Sequence, residues 1–242
     1  TLSLVRDRFA EKPLYYGSIG SSFVFGSELK ALRAFPDSRL SVDPEALARM
    51  LQFGYVPAPA SIYRNVHKLL PGSMLCVRVA GNGRWQSNKP QRYWSIDAPE
   101  LARRQRECAQ LGQAALAENL DALLRDAVRQ QMVADVPLGA FLSGGVDSSL
   151  VVAMMQATSS RQTRTFTIGF SEEGFNEAPY AMEVARHLGT DHTELYVSAK
   201  DAAAIITELP YIYDEPFADS SQIPTSLVAR MTRSHVTVAL SG

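Results

Sequence analysis

Cysteine is scarce: only Cys76 and Cys108 occur in 242 residues. They form no metal-ligand spacing and no disulfide framework, which fits a reducing, cytoplasmic setting. A second absence is any apolar stretch approaching the ~20 residues of a membrane span. The apolar runs here have strand or short-helix length. Thr1 to Leu14 carries scattered charges and lacks the apolar centre of a signal peptide. An excess of one charge is missing too: 24 Lys and Arg face 25 Asp and Glu, for a net charge of −1. That balance argues against a general nucleic-acid or anionic-membrane surface, so neither is expected as a partner. What remains is a globular composition, 46% hydrophobic and 20% charged, with material for one large domain or two small ones.

The chain is organised around Leu142-Ser143-Gly144-Gly145-Val146-Asp147-Ser148-Ser149. An apolar run, Val136 to Leu142, leads in, and a helix-compatible run, Leu150 to Met155, leads out. Strand, small-residue turn and helix together build an anion site. Glycines let backbone N–H groups approach the anion, and the helix adds its positive N-terminal end. Ser143, Ser148 and Ser149 add hydroxyl donors, and Asp147 is a carboxylate placed to hold a divalent cation against phosphate. The stretch lacks the Gly-Lys-Ser/Thr ending of a Walker A loop. A plain Ser/Gly turn with an N-cap aspartate is the competing reading.

Upstream, Leu2–Val5, Pro13–Gly17 and Ser22–Phe25 read as strands around a Gly17 to Gly20 turn, and Ser27–Leu32 starts a short helix. Three short strands cannot bury a core of their own. Asp7, Lys12, Glu28 and Lys30 read as ion pairs flanking strands rather than as catalysts. Asp43-Pro44 caps a helix with Leu47, Met50 and Leu51 on one face. Residues 53–60 form an extended loop, and Leu75, Val77 and Val79 share a face of the strand Ser73–Val79. Gly81-Asn82-Gly83 closes a hairpin into Arg84-Trp85. From Asp97 to Gln113 the composition turns polar, and its arginine run reads as a solvated helix face within a domain connection.

Leu120, Leu123, Leu124, Ala127, Val128 and Met132 have helical spacing just before the central stretch. Downstream come a β-rich run at Arg164–Phe170, a helix with Ala178, Ala181, Met182, Ala185 and Leu188 on one face, and a strand at Thr193–Val197. Helices over Ala202–Leu209 and Gln222–Arg233 and a strand over His235–Leu240 follow. This alternation predicts a parallel sheet with right-handed crossovers, whose ligands bind beyond the carboxyl ends of the strands. Ser143-Gly144-Gly145, Gly169 and Ser241-Gly242 are all expected at such ends. Three small-residue turns at one sheet edge make a nucleotide crevice.

These residues carry a family resemblance. Ser143-Gly144-Gly145-Val146-Asp147-Ser148-Ser149 is similar to the PP-loop of N-type ATP pyrophosphatases. Arg6-Asp7-Arg8-Phe9, Lys12–Tyr16 and Ser27–Leu32 resemble the end of the glutaminase domain of glutamine-hydrolysing asparagine synthetases. Phe53–Pro57 and Lys68–Gly72 resemble its joining segment, and Asp214–Ser221 a synthetase segment. The resemblance covers essentially the whole chain in the family's order. It implies an α/β fold: a parallel-sheet PP-loop synthetase domain, adenine nucleotide alpha hydrolase-like and Rossmann-like, over residues 114–242. Residues 1–36 would be the β-rich end of an Ntn-type glutaminase domain, and 37–113 an inter-domain segment with a helix and a hairpin.

By the same resemblance, Leu142 and Ile168 line an adenine pocket. Ser143, Gly144, Gly145, Ser148 and Ser149 hold pyrophosphate, Asp147 binds Mg2+, and Ser241-Gly242 begins a turn near the nucleotide. Substrates would be ATP, aspartate and ammonia from glutamine, and a homodimer is an assembly it allows. Aspartate would be adenylated with release of pyrophosphate and then amidated with release of AMP. No side chain is assigned a catalytic role. The family's glutaminase uses an N-terminal cysteine, whereas residue 1 is Thr1, and the chain reads as a fragment cut at both ends that cannot complete the reaction alone. Asp214, Glu215 and Asp219 are candidates to contact a substrate amine or metal, against an ordinary turn in which Asp219 or Ser220 caps the next helix. A relative acting on another carboxylate (β-lactam-forming, peptide- or glycan-modifying) and a non-catalytic nucleotide-binding module remain alternatives.

Overall fold

The computed structural model describes residues 1–36, 38–81, 84–96, 99–170 and 176–242; Asn82 and Gly83 of the expected hairpin turn lie outside them. The chain divides into two compact units: Thr1–Ala109 with Pro210–Asp219, and Gln110–Leu209 with Ser220–Gly242.

The first unit is antiparallel β with short helices. Its elements are β1 (Leu2–Val5), β2 (Tyr15–Ile19), β3 (Ser22–Gly26), α1 (Leu29–Arg33), α2 (Pro44–Phe53), β4 (Val66–Lys68), β5 (Ser73–Val79), β6 (Trp85–Ser87), β7 (Gln91–Arg92) and α3 (Pro99–Cys108). The opening strands obtain a core from partners far along the chain. β1 pairs with β5, which also carries β6 and β7, while β2 lies between β3 and β4. Leu4, Leu69, Leu75 and Val77 form one apolar cluster; Val24, Leu29, Leu32, Ala46, Val56, Ile62 and Val66 form another. Both cysteines are free thiols.

Several local expectations are corrected here. Gly17 is not in a turn: β2 runs through it to Ile19. A Cβ at residue 17 would fall on the Asn65 carbonyl oxygen, so glycine serves a close backbone approach. In α2 the Asp43 carboxylate caps as expected, accepting from Glu45 N–H at 2.9 Å. The buried residue is Ala46, however, while Leu47 and Leu51 are exposed, because Ala46 faces the neighbouring cluster. Val79 is likewise exposed, lying past the part of β5 that the apolar cluster covers.

The second unit comprises α4 (Gln113–Gln131), β8 (Leu138–Phe141), α5 (Val146–Thr158), β9 (Arg164–Phe170), α6 (Ala178–Leu188), β10 (Asp191–Val197), α7 (Ala199–Ile206), α9 (Gln222–Arg233) and β11 (Val238–Leu240); α8 (Leu209–Ile212) lies at the crossing between units. Its sheet is parallel throughout, in the order β10-β9-β8-β11. Hydrophobic burial drives the layering: Ala140 and Leu142 pack with Val152, Met154 and Met155 of α5, Ala181 and Ala185 of α6, and Val128 of α4. Leu120 and Leu123 are exposed although they share the expected face, since only the last turns of α4 reach this core. The final strand is shorter than expected and starts at Val238, because His235 and Val236 still bond back to Thr232 at the end of α9. No helix among the described residues is long and apolar enough to cross a membrane.

Candidate functional site

The turn between β8 and α5 is shaped by two glycines with different duties. Gly144 has φ +81°, and a Cβ there would lie 2.7 Å from Tyr180 Cβ and 2.8 Å from Ala181 N. It therefore lets the turn bend left-handed while pressed against the first turns of α6. Gly145 is the N-cap of α5 and makes no side-chain cap, which leaves the helix's first N–H groups without an intrahelical acceptor.

Serines brace this turn. Ser148 is buried, and its hydroxyl lies 2.9 Å from Ser143 Oγ, accepts the Ser143 N–H at 3.2 Å and donates to the Gly145 carbonyl at 3.3 Å. The Gly145 N–H donates to Ser143 Oγ at 3.3 Å. Ser149 Oγ is buried with no hydrogen-bond partner among the described residues. Asp147 stands in the first turn of α5, exposed to solvent. Gly242 completes the arrangement: a Cβ there would lie 2.6 Å from both Ser148 N and Ser148 Cα, so its backbone rests on the start of α5.

A cleft of about 880 Å³ opens at this edge of the sheet. Leu142, Ser143, Ile168 and Ser241 line it, so four of the expected residues meet in one cavity. Gly144 and Ser149 line a separate groove between α5 and α6. Gly169 is not beyond a strand end; it pairs with Tyr196 inside the β9–β10 ladder, where a Cβ would meet that ring. Glu177, Ser198, Ser220, Ser221 and Thr225, around the starts of α6, α7 and α9, line the cleft as well. Ser220 and Ser221 fall in the Asp214–Ser221 segment singled out from the sequence; Glu177, Ser198 and Thr225 were not expected, although the Ser198-to-Asp201 capping box of α7 carries a local signal.

Two further candidates have other work. Asp214 Oδ2 accepts the Lys30 N–H at 3.2 Å, and its Oδ1 lies 3.6 Å from Lys30 Nζ. Glu215 accepts the Ile62 N–H at 2.7 Å and pairs with Lys68. Both belong to the first unit. Asp219 ends that unit, and Ser221 is the N-cap of α9 without a side-chain capping bond. Among the described residues no group of three or more His, Cys, Asp or Glu is arranged to hold a metal.

The family model "Asparagine synthase" matches residues 119–242, which contain the whole turn, and spans half of the chain. The chain belongs to the asparagine synthase family. A "Glutamine amidotransferase domain" model matches residues 1–94. Among asparagine synthetases, the chain is 36% identical over 98% of its length to a Methanocaldococcus jannaschii protein provisionally named a glutamine-hydrolysing asparagine synthetase. It is 33% identical over 98% of its length to asparagine synthetase (glutamine-hydrolysing) 1 of Bacillus subtilis. The chain spans 44% and 35% of those two proteins respectively.

Proposed function

We propose that the chain carries the ATP site of a glutamine-hydrolysing asparagine synthetase, on a Rossmann-like PP-loop sheet preceded by the end of an Ntn-type glutaminase domain. One observation carries the reading: a glycine turn braced by Ser143 and Ser148, opening α5 at the edge of a parallel sheet, borders a cleft shared with Leu142, Ile168 and Ser241. The donor set suits phosphate. A Cβ is excluded at Gly144, Ser143 is an exposed residue, and Ser149 has an uncommitted hydroxyl among the described residues.

In this reading Ser143, Gly144, Gly145, Ser148 and Ser149 hold the pyrophosphate end of ATP, with Ser241-Gly242 beside them. Leu142 and Ile168 hold the adenine. Among the described residues Asp147 belongs to no group of three or more His, Cys, Asp or Glu, which suits a Mg2+ ion that arrives on the phosphates rather than in a protein cage. When bound, that ion supplies charge neutralisation on the phosphates. The chain's own contribution is electrostatic and positional: fixed donors face the α–β bridge while an aspartate β-carboxylate attacks the α-phosphorus and pyrophosphate leaves. Ammonia from glutamine then displaces AMP to give asparagine.

The test is ATP–pyrophosphate exchange in the full-length protein. Exchange should depend on aspartate and be abolished by Asp147→Asn, with little loss of fold stability because Asp147 is exposed. Exchange that ignores aspartate, or that another carboxylate supports instead, overturns the substrate assignment. Retention of exchange by Asp147→Asn overturns the metal assignment.

A further inference from the structure

A second cavity, of about 700 Å³, lies at the other edge of the parallel sheet, where Leu138, Arg164 and Asp191 begin β8, β9 and β10. It shares no lining residue with the 880 Å³ cleft. Met132, Leu138 and Met155 give it an apolar wall. Thr163 also lines it, buried, and its Oγ1 has no hydrogen-bond partner among the described residues. Four of the lining residues are charged: Asp135, Arg161, Arg164 and Asp191. Two of these are engaged, since Arg164 donates to the His235 carbonyl at 3.0 Å and lies 3.8 Å from Asp191. The exposed side chains of Asp135 and Arg161 make no hydrogen bond or ion pair among the described residues.

Opposite charges that line one cavity without pairing suit a ligand that carries both. The helix ends sort the two. α4 reaches its C-cap at Met132 and α5 at Ser159, so both bring carbonyl groups, the negative end of the helix dipole, to this edge. Asp135 follows α4 and adds its charge to that end, which makes a seat for an ammonium group. Arg161 follows α5 and reverses the sign there, offering a planar fork that matches a carboxylate. A ligand oxygen on that side would also match the nearby Thr163 hydroxyl, which is costly to leave unpaired. The apolar wall suits a hydrocarbon side chain. We propose that this cavity binds a free α-amino acid with an apolar side chain, its carboxylate on Arg161 and its ammonium on Asp135. The site is independent of the nucleotide reading, because neither residue borders the 880 Å³ cleft.

Equilibrium titration of the full-length protein with L-leucine, 4-methylpentanoate (which lacks the ammonium) and 3-methylbutylamine (which lacks the carboxylate) tests the proposal. Leucine should bind saturably, and each single-charge analogue about tenfold or more weakly, as expected for loss of a charge-assisted hydrogen bond. Arg161→Gln and Asp135→Asn should each weaken leucine by about tenfold or more. Arg161→Lys, which keeps the charge without the fork, should retain part of the affinity. Melting temperatures without leucine should match wild type, since both side chains are exposed and unpaired among the described residues. No saturable leucine binding up to about 50 mM overturns the proposal. So does leucine binding that Arg161→Gln and Asp135→Asn leave unchanged, which would put the amino acid elsewhere on the protein. Equal binding of 4-methylpentanoate and leucine reduces the cavity to an anion site and overturns the amino-acid assignment.

Discussion

Ser143 and Ser148 hold their hydroxyl oxygens 2.9 Å apart, and the buried Ser148 Oγ also accepts the Ser143 N–H. One hydroxyl thus ties the end of the strand to the first turn of the helix that follows. Ser148→Ala leaves the Ser143 N–H without this acceptor and should cost about 1–2 kcal/mol in stability. ATP affinity should fall with it, because the turn that presents the donors loosens. Urea unfolding and ATP titration of the same variant check both effects.

Two adjacent glycines should respond differently to alanine. Gly144→Ala places a Cβ on Tyr180 and Ala181 at a left-handed φ and should destabilise the second unit by about 2–4 kcal/mol. Gly145→Ala has an ordinary φ of −70°, and its nearest neighbour, Ser143 Oγ, lies 3.3 Å from the new methyl. It should fold normally yet bind ATP at least tenfold more weakly, since the methyl occupies the approach to the N–H groups. Melting temperature and ATP affinity, measured side by side, separate the two outcomes.

The clasp of Lys68 on Glu215 is mostly buried, with side-chain exposures of 16% and 12%. Lys68→Met strands the carboxylate and should cost about 2–4 kcal/mol, measured by chemical unfolding of the first unit. Lys68→Met combined with Glu215→Gln should cost less than the two single changes added together. Strict additivity would show that the pair contributes no coupling.

Acid should weaken the second unit through His192. Its side chain is 5% exposed, with Nδ1 2.8 Å from Thr165 Oγ1 and Nε2 3.7 Å from Glu194. Burial lowers its pKa, only partly opposed by Glu194. The unfolded chain therefore takes up this proton at a higher pH than the folded one. The stability linked to it is complete above the ordinary histidine range and is lost as pH falls through about 6.5 towards the folded value. The slope should not exceed about 1.4 kcal/mol per pH unit, the limit for one proton. The carboxylates with lowered pKa, such as Asp7 and Asp201, titrate below this window. Urea midpoints at pH 7.5, 6.5 and 5.5 should show the fall in wild type and a flatter profile in His192→Gln.

The features legible in the sequence are those set by neighbours along the chain. The Gly144-Gly145 turn, the Asp43-Pro44 cap and the bounds of α9 all depend on local backbone conformation. Periodicity also separated helices from strands well enough to imply a parallel sheet. It did not say which residues a neighbour would cover, so Leu47, Leu51, Leu120 and Leu123 were assigned to faces that water reaches. Gly17 looked like a turn residue because its reason for being glycine is the Asn65 carbonyl, on a distant part of the chain. Asp214 was expected to sit in an ordinary turn, and its tie to Lys30 was not foreseen because that partner is 184 residues away. Glu177, Ser198 and Thr225 of the cleft lining were hidden for a similar reason, since strand order brings together the starts of three helices.

The neighbour relation of β8 and β11 has a bearing on how the chain is made. Ala140 pairs with Leu240, and between them lies most of the second unit, though not α4. On a ribosome adding roughly 5–20 residues per second, β8 emerges about 5–20 s before its outer partner. During that interval β8 can pair with β9, but its other side stays an open strand edge, a template for association with other nascent chains. The Ser143–Ser149 turn is synthesised in the same interval, before the strand that brings Ser241 beside it. Protection of this edge by a chaperone would then govern how much of the protein reaches its folded state.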